Sequence, residues 1–251
     1  MHIGTDGWAV EDAQGLPPLL KIPSVRTTKL AADIAGPLGI VWHWTAGPCR
    51  NPETGVLLAN EIRSYNPQRD RAASWHFLVA KDGRIIQSVP TTMGSWHVGR
   101  PGRLGGKPTM TSGKWDASAW PGRLFANVNS ASVGVELENA GRLEQVNGKF
   151  YCWPFWLDPD RPESGPDPKL EIPATRAVQH EAQWFDGFPV EQEMAASRLL
   201  QALSLRHKWT RDVAQYGHVM FDPSRKEDPG PVWLEVVLPR ILDRCYGADV
   251  G

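Results

Sequence analysis

The stretch from Tyr216 to Trp233, YGHVMFDPSRKEDPGPVW, carries an imidazole at His218, an ammonium at Lys226 and a carboxylate at Asp228. Pro223, Pro229, Gly230 and Pro231 punctuate it, which makes a stiff loop rather than a helix or strand. Rigid loops that present polar side chains are where site chemistry usually sits. One histidine and one carboxylate are two candidate ligands. A catalytic zinc site needs three, with an open position for water.

A third is available far upstream. Leu38 to Gly47 reads LGIVWHWTAG. Leu38, Ile40, Val41 and Trp42 form a short apolar run, and the spacing predicts a buried strand that delivers His43 at its carboxyl end. His43, His218 and Asp228 together offer N and O ligands that suit one Zn²⁺ per chain.

These residues carry a family resemblance. H-x-T-A-G after a first strand, with a distant G-H-x(9)-D inside RKEDPGP, resembles the zinc N-acetylmuramoyl-L-alanine amidases of the amidase-2 superfamily. That superfamily includes T7-type lysozymes, cytosolic muropeptide-recycling amidases and peptidoglycan recognition proteins. The resemblance runs from about Leu38 to Tyr246. RKEDPGP is its specific part; HWTAG alone is weak. Asn129, Ser132, Gly134, Glu136 and Leu137 also match the family pattern N-x-x-S-I-G-I-E-L.

The resemblance implies hydrolysis of the amide between N-acetylmuramic acid and L-alanine. It implies that Glu136 moves the proton from water to the leaving amine, and that Lys226 stabilises the developing oxyanion. T7-type members place a tyrosine before the histidine of the hairpin strand, where this chain has Trp75 before His76. Tryptophan is neither acid nor base at neutral pH, so the Glu136 route is the one this sequence permits. Asp228 stands where T7-type members and many recognition proteins have cysteine. Both departures point toward the recycling-type, glutamate-using amidases. Trp44, Thr45, Trp96 and His97 are the expected substrate-groove residues.

Each residue also has a plainer reading. A tryptophan-flanked His43 is commonly a packed core histidine. His218 could be structural, Asp228 before Pro229 a turn or cap residue, and Glu136 the salt-bridge partner of Lys226. His76 and His97 read as hydrogen-bonded wall histidines before they read as ligands. The joint occurrence at family positions favours the site.

Several elements must position these residues. Residues 1–37 are broken by Pro17, Pro18, Pro23, Gly36 and Pro37 and read as an arm around a domain spanning 38–251. Leu57, Leu58, Ile62 and Tyr65 predict a helix over Glu53 to Tyr65. SWHFLVA, the turn KDGR and IIQSV make a hairpin within Ala73 to Pro90. Val133, Val135 and Leu137 alternate with Gly134, Glu136 and Glu138, a buried strand whose carboxylate needs a partner or a purpose. Residues 142–175 read as a long insertion with exposed or substrate-facing aromatics. A helix is expected over Val190 to Trp209. Another starts at Pro231, with Pro239 expected to kink it or end it early. These elements predict an α/β fold, with a central mixed β-sheet flanked by helices on both faces.

Composition narrows the function. A formal net charge of −1 over 251 residues leaves no nucleic-acid footprint and no basic surface for anionic membranes. No run of about 18 apolar residues exists to span a bilayer. The N-terminus is acidic and lacks the apolar core of a secretory signal, which predicts a cytoplasmic protein. Cys49, Cys152 and Cys245 read as reduced thiols. Twelve tryptophans suit core, wall and sugar-groove positions. The glycine-rich GSWHVGRPGRLGGK is not a phosphate loop, because Pro101 and Pro108 sit where it needs a glycine and a hydroxyl residue. His180-Glu181-Ala182-Gln183-Trp184 starts like a zincin helix but lacks the second histidine. Neither a PCxxC nor a GxSxG motif occurs.

The expected activity is therefore a zinc amidase acting on peptidoglycan or muropeptides. The insertion, arm and tryptophan content favour a phage endolysin, which would reach the wall through holin pores. The alternatives are a cytosolic anhydro-muropeptide recycling amidase and a non-catalytic peptidoglycan-binding protein. Oligomeric state is not legible.

Overall fold

The computed structural model describes residues 1–11, 19–24, 27–30, 35–46, 74–98, 103–104, 107–108, 128–152, 166, 170–214, 216–221 and 226–247. The helix expected over Glu53 to Tyr65, Cys49, and Trp153, Phe155 and Trp156 of the insertion lie outside them.

The centre is a six-stranded mixed sheet. Its strands are β1 (Leu19–Lys21), β2 (Gly39–Trp44), β3 (Phe77–Val79), β4 (Ile85–Gln87), β5 (Ser132–Leu137) and a last strand at Tyr216–Gly217. In space the order is Tyr216–Gly217, β2, β5, β3, β4, β1. All neighbours run parallel except the β3–β4 hairpin. The hairpin turns where expected, with Gly83 at φ 84°.

Strand alternation sorts the sheet's two faces. Ile40 and Trp42 of β2, Phe77 and Val79 of β3, and Val133, Val135 and Leu137 of β5 form one continuous core. Two helical segments cover it. Helix α1 (Val190–His207) contributes Ala196, Leu199, Leu200 and Leu203. Its Gln192, fully buried, donates through Nε2 to the Val79 and Glu138 carbonyls at 2.9 and 3.0 Å, tying the helix to the ends of β3 and β5.

The C-terminal segment starts after Pro231 as a π-helical turn, Val232–Val237, and continues as α2 (Leu238–Tyr246). The expected break at Pro239 is a change of pitch instead. The Leu238 N–H reaches back five residues to the Trp233 carbonyl, and Pro239 falls in the first turn of α2, where a missing N–H is tolerated. Trp233 is fully buried, with ring centroids 5.1 Å from Trp42 and 4.9 Å from Phe188.

Among the described residues, both helices pack on this one face. Val41, His43, Ser132, Gly134 and Glu136 lie on the opposite face.

The segment expected to be an arm joins the sheet and the core. Its β1 adds an edge strand beside β4, Thr27–Thr28 pairs with Gly94–Ser95, and Ile3 and Ala9 join the helix-side core. Gln87 holds it, accepting from the Ala9 N–H at 2.7 Å and donating to the Gly7 carbonyl at 2.9 Å.

The insertion also departs from expectation. Strands β6 (Arg142–Val146), β7 (Lys149–Cys152), β8 (Glu171–Ile172), β9 (Ala177–His180) and β10 (Gln183–Asp186) form a second, antiparallel sheet in the order β8, β7, β6, β10, β9. Phe150 and Tyr151, expected to be exposed or substrate-facing, are buried, and the Phe150 ring packs 4.8 Å from Trp184. The zincin-like His180-Glu181 sits at a hairpin turn rather than on a helix, with Glu181 at φ 52°. Cys152 is buried, and Cys245 is a half-buried thiol. Among the described residues, no helix is long and apolar enough to cross a membrane.

Candidate metal centre

His43 is the penultimate residue of β2, on the face away from the helices. His218 opens a short 3-10 turn (His218–Met220) directly after the edge strand that pairs with β2. Asp228 returns to it because the Val219 N–H donates to the Asp228 carbonyl at 2.9 Å. The Gly230 N–H closes the following turn on the Glu227 carbonyl at 2.8 Å. Gly217 keeps the two ends close, since a Cβ there would lie 2.7 Å from Pro229 Cδ.

The three side chains converge in buried surroundings. His43 Nδ1 lies 3.0 Å from His218 Nδ1 and 3.1 Å from Asp228 Oδ2, and His218 Nδ1 lies 3.0 Å from that same oxygen. No placement of protons satisfies all three sides of this triangle. If both rings donate to Oδ2, two N–H groups face each other; if one ring donates to the other, a bare nitrogen faces a carboxylate oxygen. A cation between the three atoms satisfies them all. Tetrahedral ligands about 2.1 Å from zinc stand roughly 3.4 Å apart, close to these spacings. The donor set fits such an ion.

Electrostatics agree with that use. Burial lowers His43 to about 4, against the opposing pull of Asp228, so its ring is neutral and its lone pair available. Burial alone would raise Asp228, but hydrogen bonds from His218 and His43 outweigh it and hold the carboxylate ionised.

Glu136, half-buried on β5, is the direct cross-strand partner of His43. Burial, and then the negative charge of Asp228, push its carboxyl well above the ordinary range, while Lys226 acts in the other direction. Lys226 is also close enough to depress His43. The expected catalytic pair thus shares the electrostatic neighbourhood of the donors.

The expected groove residues divide. Trp44 lies at the end of β2, wedged between Gly141 and Gly230. A Cβ on either glycine would come within 2.9 or 2.4 Å of the indole. Beside it a cleft of about 250 Å³ is lined by Ala46, Ala140, Gly141, Arg142, Glu144 and Glu227. Trp96 is exposed. Thr45 is engaged elsewhere, its Oγ1 donating to the Asn139 carbonyl and accepting the Asn139 N–H, both at 3.2 Å. His97, also expected in the groove, lies deeper. Its ring is buried behind His43, with Nδ1 3.0 Å from His43 Nε2. Burial holds it neutral.

His76 is a wall histidine, its Nε2 donating to the Met93 carbonyl at 2.9 Å and its Nδ1 accepting the Gly134 N–H at 3.0 Å. A larger cavity of about 680 Å³, between Gly36 and Trp209, shares none of its described lining residues with the donors. Sequence reasoning missed Arg142, Glu144 and Glu227 as cleft walls, and the link from Ser132 to His97. The alternation that set Glu136 on the site face also sets Ser132 there and could have pointed to it.

Comparisons with known proteins are consistent with this geometry. No curated protein sequence matches this chain. Among solved structures, a selenomethionine derivative of AmpD shares 20% identity at a TM-score of 0.50, covering 90% of this chain and 91% of that one. AmiD from E. coli, solved with anhydro-N-acetylmuramic acid-L-Ala-D-gamma-Glu-L-Lys, shares 20% at 0.47, covering 98% and 66%. AmpDh3 from Pseudomonas aeruginosa shares 18% at 0.48, covering 90% and 67%. At these identities the AmpD likeness speaks for the fold alone. The family profile described as N-acetylmuramoyl-L-alanine amidase matches residues 35–231, a span that takes in all three donors, Glu136 and Lys226. On that match the chain belongs to the amidase-2 family of N-acetylmuramoyl-L-alanine amidases.

Proposed function

We propose that this protein is a zinc-dependent N-acetylmuramoyl-L-alanine amidase that cuts the amide between the lactyl group of N-acetylmuramic acid and L-alanine. The observation that carries this reading is the convergence of His43 Nδ1, His218 Nδ1 and Asp228 Oδ2, with Glu136 paired to His43. When bound, zinc supplies a Lewis acid that acidifies water and polarises the scissile carbonyl.

Glu136 accepts a proton from the attacking water. A C–O bond forms as the C–N bond breaks, and Glu136 passes the proton to the departing L-alanine nitrogen. Its raised affinity for protons suits the second half of that task. Lys226 offers a fixed cation to the negative charge that builds on the carbonyl oxygen. Trp44 and the cleft beside it, with Arg142, Glu144 and Glu227, supply an aromatic face and charged groups for a sugar-peptide junction.

For biological role the proposal is a phage endolysin acting on polymeric peptidoglycan, on the strength of the arm, the insertion and the tryptophan content. The test pairs zinc analysis with product assays on intact sacculi and on a soluble anhydro-muropeptide, for wild type and His218→Ala. One zinc per chain, and new L-alanine amino termini from sacculi that vanish in the variant, are expected. Release from the soluble substrate alone would assign a recycling amidase. Neither zinc nor cleavage would leave a non-catalytic binder.

A further inference from the structure

We propose that His97 is the positioning residue of the metal centre: it fixes His43 as the Nε2-protonated tautomer, so that the bare Nδ1 faces His218 and Asp228. The inference rests on the zinc reading above and goes one shell beyond it.

The direction of the hydrogen bonds follows from one end. Ser132 Oγ lies 2.8 Å from the Val128 carbonyl, which can only accept, so the single hydroxyl proton goes there. Ser132 Oγ then has only lone pairs to offer His97 Nε2, 3.2 Å away, and His97 must carry its proton on Nε2. A neutral His97 therefore has a bare Nδ1. That atom is 3.0 Å from His43 Nε2, which must be the donor. His43 is left with its lone pair on Nδ1, the atom in contact with His218 Nδ1 and Asp228 Oδ2. A chain of three bonds, ending on a backbone carbonyl, selects the tautomer that a cation needs.

The surroundings of His97 serve the same end. Asn129 Oδ1 accepts both the His97 and the Val98 N–H, at 2.9 and 2.7 Å, and its Nδ2 donates to the Val98 carbonyl at 2.8 Å. Gly134 makes room for the ring, since a Cβ there would sit 2.3 Å from His97 Cγ. Asn129, Ser132 and Gly134 are thus one device: a clamp, a proton acceptor and a gap, all acting on His97. His76 is held by its own partners, its Nδ1 and Nε2 both engaged away from His97. It does not compete for the His43–His97 bond.

The test compares His97→Leu with His97→Asn. Both replacements have the same branching and number of heavy atoms, but asparagine restores an acceptor near the Nδ1 position. Zinc affinity is measured by competition with a chromophoric chelator. The His43 tautomer is read in the metal-free protein by long-range ¹H–¹⁵N correlation of its ring. The leucine variant is expected to bind zinc about 10- to 100-fold more weakly, and to lose the single Nε2–H signature. The asparagine variant is expected to recover most of both.

Leucine-variant affinity within twofold of wild type, with an unchanged His43 spectrum, overturns the proposal. If the leucine variant does not fold, Ser132→Ala replaces it: a mixed His43 tautomer supports the chain of bonds, and a pure Nε2–H form refutes it. A wild type that binds no zinc defeats the metal reading itself, while its ring spectrum still decides whether His97 sets the tautomer.

Discussion

Glu136 and His43 are direct partners in the parallel pairing of β5 with β2, so a carboxyl and a donor imidazole leave adjacent strands on the same face. The sheet, rather than a loop, sets their separation. A carboxyl placed by two hydrogen-bonded strands is held in register with its neighbour.

Glu136→Gln should keep zinc and lose activity, with kcat falling about 10²- to 10⁴-fold. It should also stabilise the metal-free protein at neutral pH. Burial raises the folded-state pKa of Glu136 above its unfolded value. Stability from this group is therefore complete at acid pH. It is lost as pH rises from the ordinary carboxylate range to the raised value, because the unfolded chain ionises first. The melting temperature of Glu136→Gln relative to wild type, both without metal, should climb as pH rises above the ordinary carboxylate range, about 4. A constant difference would contradict the assignment.

Asp228→Ala should reduce zinc from one per chain to a small fraction, because two neutral imidazoles remain. Stripping wild type with a chelator should lower its melting temperature, since zinc held at 100 times its Kd adds about 2.7 kcal/mol to the folded state. Differential scanning calorimetry with and without chelator checks this, and the variant should show no chelator effect.

Lys226→Ala should leave zinc content and fold unchanged and lower kcat about 10²- to 10³-fold, with a smaller effect on KM. Lys226→Arg should recover part of the loss, because the charge remains while its geometry changes. Steady-state kinetics on a soluble muramyl-peptide tests both. A rise in KM alone would make Lys226 a binding residue.

Gly230→Ala should destabilise the protein by about 1–3 kcal/mol, because φ is +78° and the added Cβ would lie 2.4 Å from Trp44 Cζ3. Adding Trp44→Ala removes the clash but not the strained φ, so the two substitutions should be non-additive in urea denaturation. Zinc affinity should fall with Gly230→Ala, since Asp228 stands in the same turn.

Asp186→Ala should cost about 3 kcal/mol of stability without touching the metal. The fully buried carboxylate accepts from Arg176, from the Ala140 N–H at 2.8 Å and from Lys81 at 3.1 Å. It ties the second sheet to the end of β5. The figure sits at the low end for a buried pair because both cations are partly exposed and can rehydrate. Chemical denaturation of the zinc-loaded variant measures it.

The sequence by itself determined the pieces whose signals are local. Alternation in residues 132–137 revealed a strand with Glu136 on one face, KDGR marked the β3–β4 hairpin, and helical spacing marked α1. The proline-punctuated RKEDPGP marked the loop that holds Lys226 and Asp228, and HWTAG marked the strand end that holds His43.

Tertiary structure decided what depends on distance through space. His97 lies 54 residues from His43 in the chain, and no periodicity relates them. Their bond exists because β5 threads between β2 and β3 and Gly134 leaves a gap there. The second sheet was partly legible: Asn147-Gly148, both at positive φ, joins β6 to β7 as a two-residue hairpin, and Glu181-Ala182 joins β9 to β10. What the local signals did not carry is the β6–β10 and β7–β8 pairing that merges these hairpins into one sheet. Trp44 read as a groove residue from its position alone; the glycines that wedge it, Gly141 and Gly230, come from segments 89 residues apart in the chain. Local sequence sets which side chains a segment can offer; the packing of distant segments sets which of them meet.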